Sequence, residues 1–228
     1  MNDKTSLIES LQDHFKSKID AVESIVGIPT VELSLVNLIE VAKALRDESP
    51  FNFEILLDLC GVDFLDYGIS HWRTEETTTS GFSRGYVQGM QEQIIPWNKP
   101  RFAVVYHLLS LSNNQRVRLK VFVEGEPPLV PSVVHLWESA NWYEREAFDL
   151  YGIVFDGHPD LRRLLTDYGF VGYPFRKDFP LIGEVELRYD AAQQRCVYEP
   201  VSIQPRVLVP KVIRQDHRYL VDKEEKHV

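Results

Sequence analysis

"RFAVVYHLLSLSNNQRVRLKVFVE", residues Arg101–Glu124, is the stretch from which the fold can be read. Its opening half is rich in β-branched and aromatic residues, which favour a pleated, half-buried strand. In its closing half Val117, Leu119, Val121 and Val123 alternate with Arg116, Arg118, Lys120 and Phe122. Strand side chains point to opposite faces with a period of two, so one face belongs to a core and the other carries a basic ladder. The turn-rich "SNNQ" between the halves predicts an antiparallel hairpin. A basic ladder on a strand is by default a solvated face.

Working outward, Leu7, Ile8, Leu11, Phe15 and Ile19 recur at helical spacing and predict an amphipathic helix over 4–18. A strand is expected near Thr30–Leu33, then a helix on Leu38, Ile39, Ala42 and Leu45 that ends near "DESP". Phe53, Leu56 and Leu57 suggest a further short helix closed by Gly61, before a strand "VDFL". Residues 66–100 turn to Gly, Thr, Ser and Glu with little period, which predicts a long surface insertion. Beyond the hairpin, Val133, Val134, Leu136, Trp137 and Ala140 predict a helix, and another follows over 142–150. Asn141 is placed to cap this last helix, with Glu144 as the reciprocal carboxylate and Gly152 as its left-handed stop. The fold class expected is α+β: a mixed, largely antiparallel sheet with helices packed on one face, plus an extended carboxyl-terminal arm. The α+β domain is placed at 1–155 and a partner-wrapping arm at 156–228.

A chain of 228 residues with 44% apolar residues can bury a real core. Its formal charge of −9 gathers in residues 1–70, where 13 acids face 5 bases, and no later segment is strongly basic. Nucleic-acid binding, which needs a basic footprint, is disfavoured. The two cysteines, Cys60 and Cys196, have no clustered spacing for a disulfide framework, zinc or an iron–sulfur centre, and Cys60 in "ILLDLCGV" reads as a small buried hydrophobe. No apolar run reaches the roughly 18 residues of a membrane span, and the amino terminus does not read as a secretion signal. A soluble, cytosolic protein is expected unless a partner brings it to a membrane.

The unusual segment is "EREAFDLYGIVFDGHPDLRRLLTDYGFVGYPFRKDFPLIG", residues 144–183. Arg145 and Asp149 stand four apart and can pair, while Glu146 and Asp149 share a helix face. With His158 nearby, Glu144, Glu146 and Asp149 raise a second possibility, an independent soluble metal-dependent enzyme. A carboxylate-bridged metal site needs more acids and a Glu-x-x-His, so capping and ion pairing are the favoured roles. His158 precedes a proline and suits a hydrogen-bonding turn. Asp160 can cap one helical turn "LRRLL", which sets Arg162 and Arg163 on neighbouring faces, so at least one should meet a carboxylate. From Thr166 to Gly183 the chain cannot build its own core. It should lie as a ribbon on a surface, of this domain or of another chain, anchored by Tyr168, Phe170, Tyr173, Phe175 and Phe179. No nucleotide loop, zinc-helix motif or nucleophile elbow is present.

Residues 139–183, "SANWYEREAFDLYGIVFDGHPDLRRLLTDYGFVGYPFRKDFPLIG", closely resemble the signature of the 30-kilodalton (C) subunit family of proton-translocating NADH:quinone oxidoreductase, respiratory complex I. "RFAVVYHLLSL" and "RVRLKV" resemble that family too, so the likeness covers about 100–200, with weaker support over 35–65. Glu144, Arg145, Glu146 and Asp149 match its helix motif, Gly157–Arg163 its "GHPDLRR", and Arg176, Lys177, Asp178, Phe179 and Pro180 its "RKDFP". Tyr173 stands where relatives often carry histidine. The resemblance implies a non-catalytic structural subunit of the peripheral, hydrophilic arm that supports the quinone-reducing module. Electrons pass through other chains, FMN and iron–sulfur clusters sit on other subunits, and this chain carries no cofactor. Its implied partners are the large quinone-site subunit and neighbouring iron–sulfur subunits, on the cytoplasmic side of the bacterial inner membrane. The motif residues, with Asp160 and Tyr168 to Phe179, become a partner interface. The short opening helix and the absence of a large domain after 183 fit a separate subunit rather than a fusion with the quinone-site chain.

Overall fold

The computed structural model describes residues 2–70, 93–94 and 96–204. In chain order the elements are α1 (Asn2–Phe15), β1 (Ala21–Ile25), β2 (Ile28–Leu33), a 3-10 turn (Leu35–Asn37), α2 (Leu38–Asp47) and β3 (Ile55–Asp63). Then follow β4 (Ile69–Ser70), β5 (Gln93–Ile94), β6 (Phe102–Ser110), β7 (Gln115–Val123), β8 (Leu129–Pro131), α3 (Ala140–Tyr151), β9 (Val154–Asp156), β10 (Val185–Asp190) and β11 (Arg195–Pro200).

The expected hairpin is the centre of the sheet. β6 and β7 pair antiparallel from Phe102 opposite Val123 to Ser110 opposite Gln115. The main sheet runs β1-β2-β7-β6-β3, and its one parallel pair is β2 with β7. Val117, Leu119, Val121 and Val123 are buried as their alternation requires, in one core with Leu7, Leu11 and Phe15 of α1, Leu38, Val41 and Leu45 of α2, and Ala140 and Ala147 of α3. The mixed, largely antiparallel α+β architecture is therefore the one expected. The basic ladder is less solvated than its default: Lys120 lies over the rings of Phe64 and Phe122 at 5.1 and 4.9 Å, and Arg118 reaches Thr30. The Lys120 ammonium meets ring faces there as well as water.

Two helix expectations fail. Residues 55–63 are strand β3, not a helix followed by a strand. A register shift lies between Leu56 and Asp58. The extra residue turns Leu56 and Leu59, three apart, to the same inner face, and leaves Leu57, which the helix reading had grouped with Leu56, exposed. Residues 133–139 form hydrogen-bonded turns, with Leu136 and Trp137 both donating to the Val133 carbonyl. These turns carry Trp137 into the core, where its indole donates to the Phe53 carbonyl at 3.2 Å. β1, unforeseen in the sequence, extends the sheet beyond β2. Of the insertion 66–100, residues 71–92 and 95 lie outside the described residues.

The free edge of β3 is blunted by side chains. Ser139 Oγ donates to the Leu56 carbonyl and Tyr143 Oη to that of Leu57. This occupies edge carbonyls that would otherwise invite a further strand. The chain divides into two compact units, Met1–Pro180 and Leu181–Val228. The described part of the second is the hairpin of β10 and β11.

Candidate functional site: a ribbon held by two buried aspartates

Helix α3 carries three buried charged residues, Glu144, Arg145 and Asp149. Each reaches a different part of the chain. Glu144 is not a capping-box residue: the helix begins at Ala140, and Ser139 at its cap position makes no side-chain cap bond. The Glu144 carboxyl instead accepts from Ser132 Oγ and the Val133 amide, both at 2.7 Å, and so fastens the turns that precede the helix. Burial pushes its pKa up to about 7, with the hydroxyl and amide pulling the other way.

Arg145 and Asp149 do not pair with each other. Arg145 donates to the carbonyls of Arg162 and Arg163. Asp149 accepts the amides of Leu164, Leu165 and Thr166 at 3.0, 2.6 and 2.9 Å, as well as the Thr166 hydroxyl and the Arg163 guanidinium. Burial alone would raise this carboxyl; the convergent donors overcome it and hold it at about 2. Residues 161–165 form no helical turn, and Asp160 does not cap one. The reason is visible in the bonds: three consecutive amides are committed to Asp149 rather than to a helix ladder. Asp160 pairs with Arg162 at 2.8 Å, both exposed.

The end of α3 holds the next part of the ribbon. Gly152 closes the helix at φ 75°, and a Cβ there would lie 2.6 Å from the Tyr173 ring. The carbonyls of Leu150 and Tyr151, which a helix leaves without partners, accept from the Phe175 amide and Arg176 Nε. Arg176 lies over the rings of Phe102 and Tyr173 at 4.9 and 4.5 Å and pairs with Glu126. A second buried carboxylate, Asp63 at the end of β3, accepts from the Lys177 and Leu65 amides and from two nitrogens of Arg101. Arg101 reaches on to Asp178 at 3.0 Å. Burial acts to raise the Asp63 carboxyl, but Arg101 and these amides bring it below the usual range.

Of the two surfaces open to the ribbon, this chain's own body holds its inner side. The side chains of Phe170, Tyr173 and Phe179 are half-buried, with Arg163 over the first two and Phe170 against Phe179 at 5.8 Å. The outer side stays open: Tyr168 is 99% exposed, and Leu165, Val171 and Phe175 are exposed too. His158 is a turn residue, as expected. Its Nδ1 accepts from the Asp160 amide, which leaves Nε2 to donate to the Asn141 carbonyl. Glu146 is half-buried, and Lys177 and Asp178 are exposed. Asp63, Arg101 and Thr166 were missed in the sequence, since no local spacing links them to the ribbon.

Of the four residues of the metal reading, Glu144, Asp149 and His158 are each committed to other partners, and among the described residues no group of three or more His, Cys, Asp or Glu could hold a metal ion. What the arrangement does is shape a surface. A sheet-and-helix body that fixes an aromatic, glycine-rich ribbon through buried carboxylates defines a class of scaffold.

Over residues 31–185 the chain matches the family described as "Respiratory-chain NADH dehydrogenase, 30 Kd subunit", and it belongs to that family. It is 74% identical over 219 residues to the C subunit of the NADH-quinone oxidoreductase of Coxiella burnetii (strain Dugway 5J108-111), covering 96% of each chain. To the protein of the same name from Legionella pneumophila (strain Paris) it is 58% identical over 221 residues, covering 97% of each. A chain of the membrane-bound sulfane sulfur reductase, an archaeal respiratory membrane complex, shares the fold: the TM-score is 0.55 at 16% identity, over 78% of this chain and 86% of that one.

Proposed function

We propose that this chain is a structural subunit of the peripheral arm of an NADH-quinone oxidoreductase, supporting the module that reduces quinone while other chains carry the electrons. The observation that carries the reading is the 74% identity, across 96% of both chains, to a protein named as the C subunit of that enzyme. The geometry supports a scaffold role, since Glu144, Asp149 and His158 of the signature, and Asp63 outside it, each hold backbone amides. FMN and iron–sulfur clusters belong, on this reading, to other subunits, and no residue of this chain takes part in the chemistry. The partners are the large quinone-site subunit and neighbouring iron–sulfur subunits. They meet the exposed side of the ribbon, where Asp160, Arg162, Tyr168, Lys177 and Asp178 stand. No described helix is long and apolar enough to cross a membrane. The chain is held on the cytoplasmic side of the bacterial inner membrane through its partners.

Affinity isolation of the full chain from native membranes tests this. NADH:quinone reductase activity, FMN and iron should be recovered with it, and the chain released from the complex should carry none of them. Recovery of the chain without any oxidoreductase, or a stoichiometric metal or flavin on the released chain, would overturn the reading.

A further inference from the structure

Tyr106 carries a hydroxyl that its packing in the core does not explain. The residue stands on β6 between Leu59 of β3 and Leu119 of β7, is 1% exposed, and belongs to the same core as Ala140 and Ala147 of α3. Its Oη is buried and has no hydrogen-bond partner among the described residues. A buried tyrosine as a rule finds a partner for that group. Glu144 is the charge that acts on it: together with burial, the carboxyl pushes the phenol well above its ordinary 10. Glu144 follows Ala140 by four residues and precedes Ala147 by three, so it lies on the stripe of α3 that faces the core, and it is 0% exposed.

The Glu144 carboxyl has more acceptor capacity than its described bonds use. An ionised carboxylate offers about four lone-pair sites. Two are taken, by the Ser132 hydroxyl and the Val133 amide. The Ser132 oxygen accepts the Val134 amide at 3.3 Å in turn, and its proton is committed to Glu144. Arg145 and Asp149, the other buried charges of α3, are engaged with the ribbon. Of the described groups that face Glu144, the Tyr106 hydroxyl is the donor left to answer its charge. When the carboxyl is protonated the need reverses, because it then has a proton to donate while Ser132 and Val133 still arrive as donors. A hydroxyl both donates and accepts, so the one phenol serves either state. Phenol and carboxyl make no direct bond, and a gap between two polar groups suits a buried water with both as partners.

We propose that Tyr106 and Glu144 form an internal proton-binding site bridged by one buried water. With the carboxyl ionised, Tyr106 donates to the water and the water donates to the carboxylate. With the carboxyl protonated, it donates to the water and the water donates to the Tyr106 oxygen. The proton is taken up and released by Glu144, and the phenol keeps its own throughout. Hydrogen bonds to an ionised acceptor are the stronger, so Tyr106 favours the charged carboxyl and holds its titration lower than burial alone would set it. Tyr106 is thus a positioning residue for this proton.

The test is a pH titration of the full chain by carbon-13 NMR, with the Glu144 carboxyl resonance identified by its loss in Glu144→Gln. Tyr106→Phe keeps the ring and removes the hydroxyl. It should raise the Glu144 midpoint by about one pH unit, a tenfold tighter hold on the proton. In the wild type, the Tyr106 Cζ resonance should move with the same midpoint as the carboxyl. A high-resolution crystal structure should show one ordered water within hydrogen-bond distance of Tyr106 Oη and a Glu144 carboxyl oxygen. An unchanged or lowered midpoint in Tyr106→Phe overturns the pair. A wild-type Tyr106 signal that stays flat through the Glu144 titration overturns it too, and needs no variant to fold. A direct bond between the two side chains with no water between them overturns the bridge.

Discussion

The Asp149 carboxylate accepts the Leu165 backbone amide at 2.6 Å, sixteen residues further along the chain, and takes the amides on either side of it as well. A helix side chain thus stands in for the backbone partners that an irregular ribbon lacks. Asp149→Asn preserves shape but removes the charge and turns a donor group toward donors. It should destabilise the protein by about 3 kcal/mol in denaturant unfolding, as breaking a buried ion pair does. The pH dependence has a definite sign. With the folded carboxyl held at about 2, below its ordinary 3.8, its stabilisation is complete above about pH 4 and is lost as pH falls toward 2. The Asn variant should lack that acid limb.

Glu144 should behave in the opposite way. Its carboxyl is raised to about 7 from an ordinary 4.5, so the folded protein holds the proton more tightly than the unfolded chain. Its stabilising contribution is full below about pH 4.5 and falls away as pH rises through 7. Glu144→Gln should flatten this part of the profile. The difference between wild type and variant should change by about 3 kcal/mol from pH 4.5 to 8, measured by urea unfolding at each pH.

Two glycines separate backbone strain from crowding. Gly157 has φ 82° with open space around its Cα, whereas Gly152 at φ 75° faces Tyr173 and Arg176. Gly157→Ala should cost about 1 kcal/mol, the penalty of a left-handed residue. Gly152→Ala should cost about 3 kcal/mol, because overpacking is added. Equal thermal shifts for the two would contradict the packing of Tyr173 on the helix end.

The paired arginines should part company. Arg163 is tied to Asp149, Thr166 and Gly172, while Arg162 meets only the exposed Asp160 among its described ion pairs. Arg163→Glu should unfold or strongly destabilise the isolated chain. Arg162→Glu should change its stability by less than about 1 kcal/mol, as exposed pairs do, and act instead on recovery of the complex. Circular dichroism of both variants, alongside co-purification, separates the two effects.

The central hairpin was legible because its alternation is unbroken from Val117 to Val123. β3 was not, because Phe53 and Leu56 are both buried three residues apart, a helical spacing, although Phe53 precedes the strand and Leu57 on it is exposed. At the site, Gly152 and the turn at His158 follow from local chemistry and were readable. The roles of Glu144, Arg145 and Asp149 were misassigned because i to i+4 and capping rules consider only neighbours along the helix. Their actual partners lie 11 to 18 residues away. Asp63 and Arg101, 38 residues apart, meet the ribbon at Lys177 and Asp178 respectively, a separation no spacing rule spans.

The central claim is that the ribbon is shaped by its own chain and only then offered to partners. Amide exchange on the released protein tests this most directly, with the β6–β7 hairpin as internal reference. The account predicts that Leu164, Leu165, Thr166 and Lys177 are protected in the lone chain at a level approaching that of residues 102–123, and that Asp149→Asn removes protection at 164–166 while sparing the hairpin. Exchange of those four amides at the rate of an unstructured peptide in the released chain, with protection appearing only in the assembled complex, would contradict it.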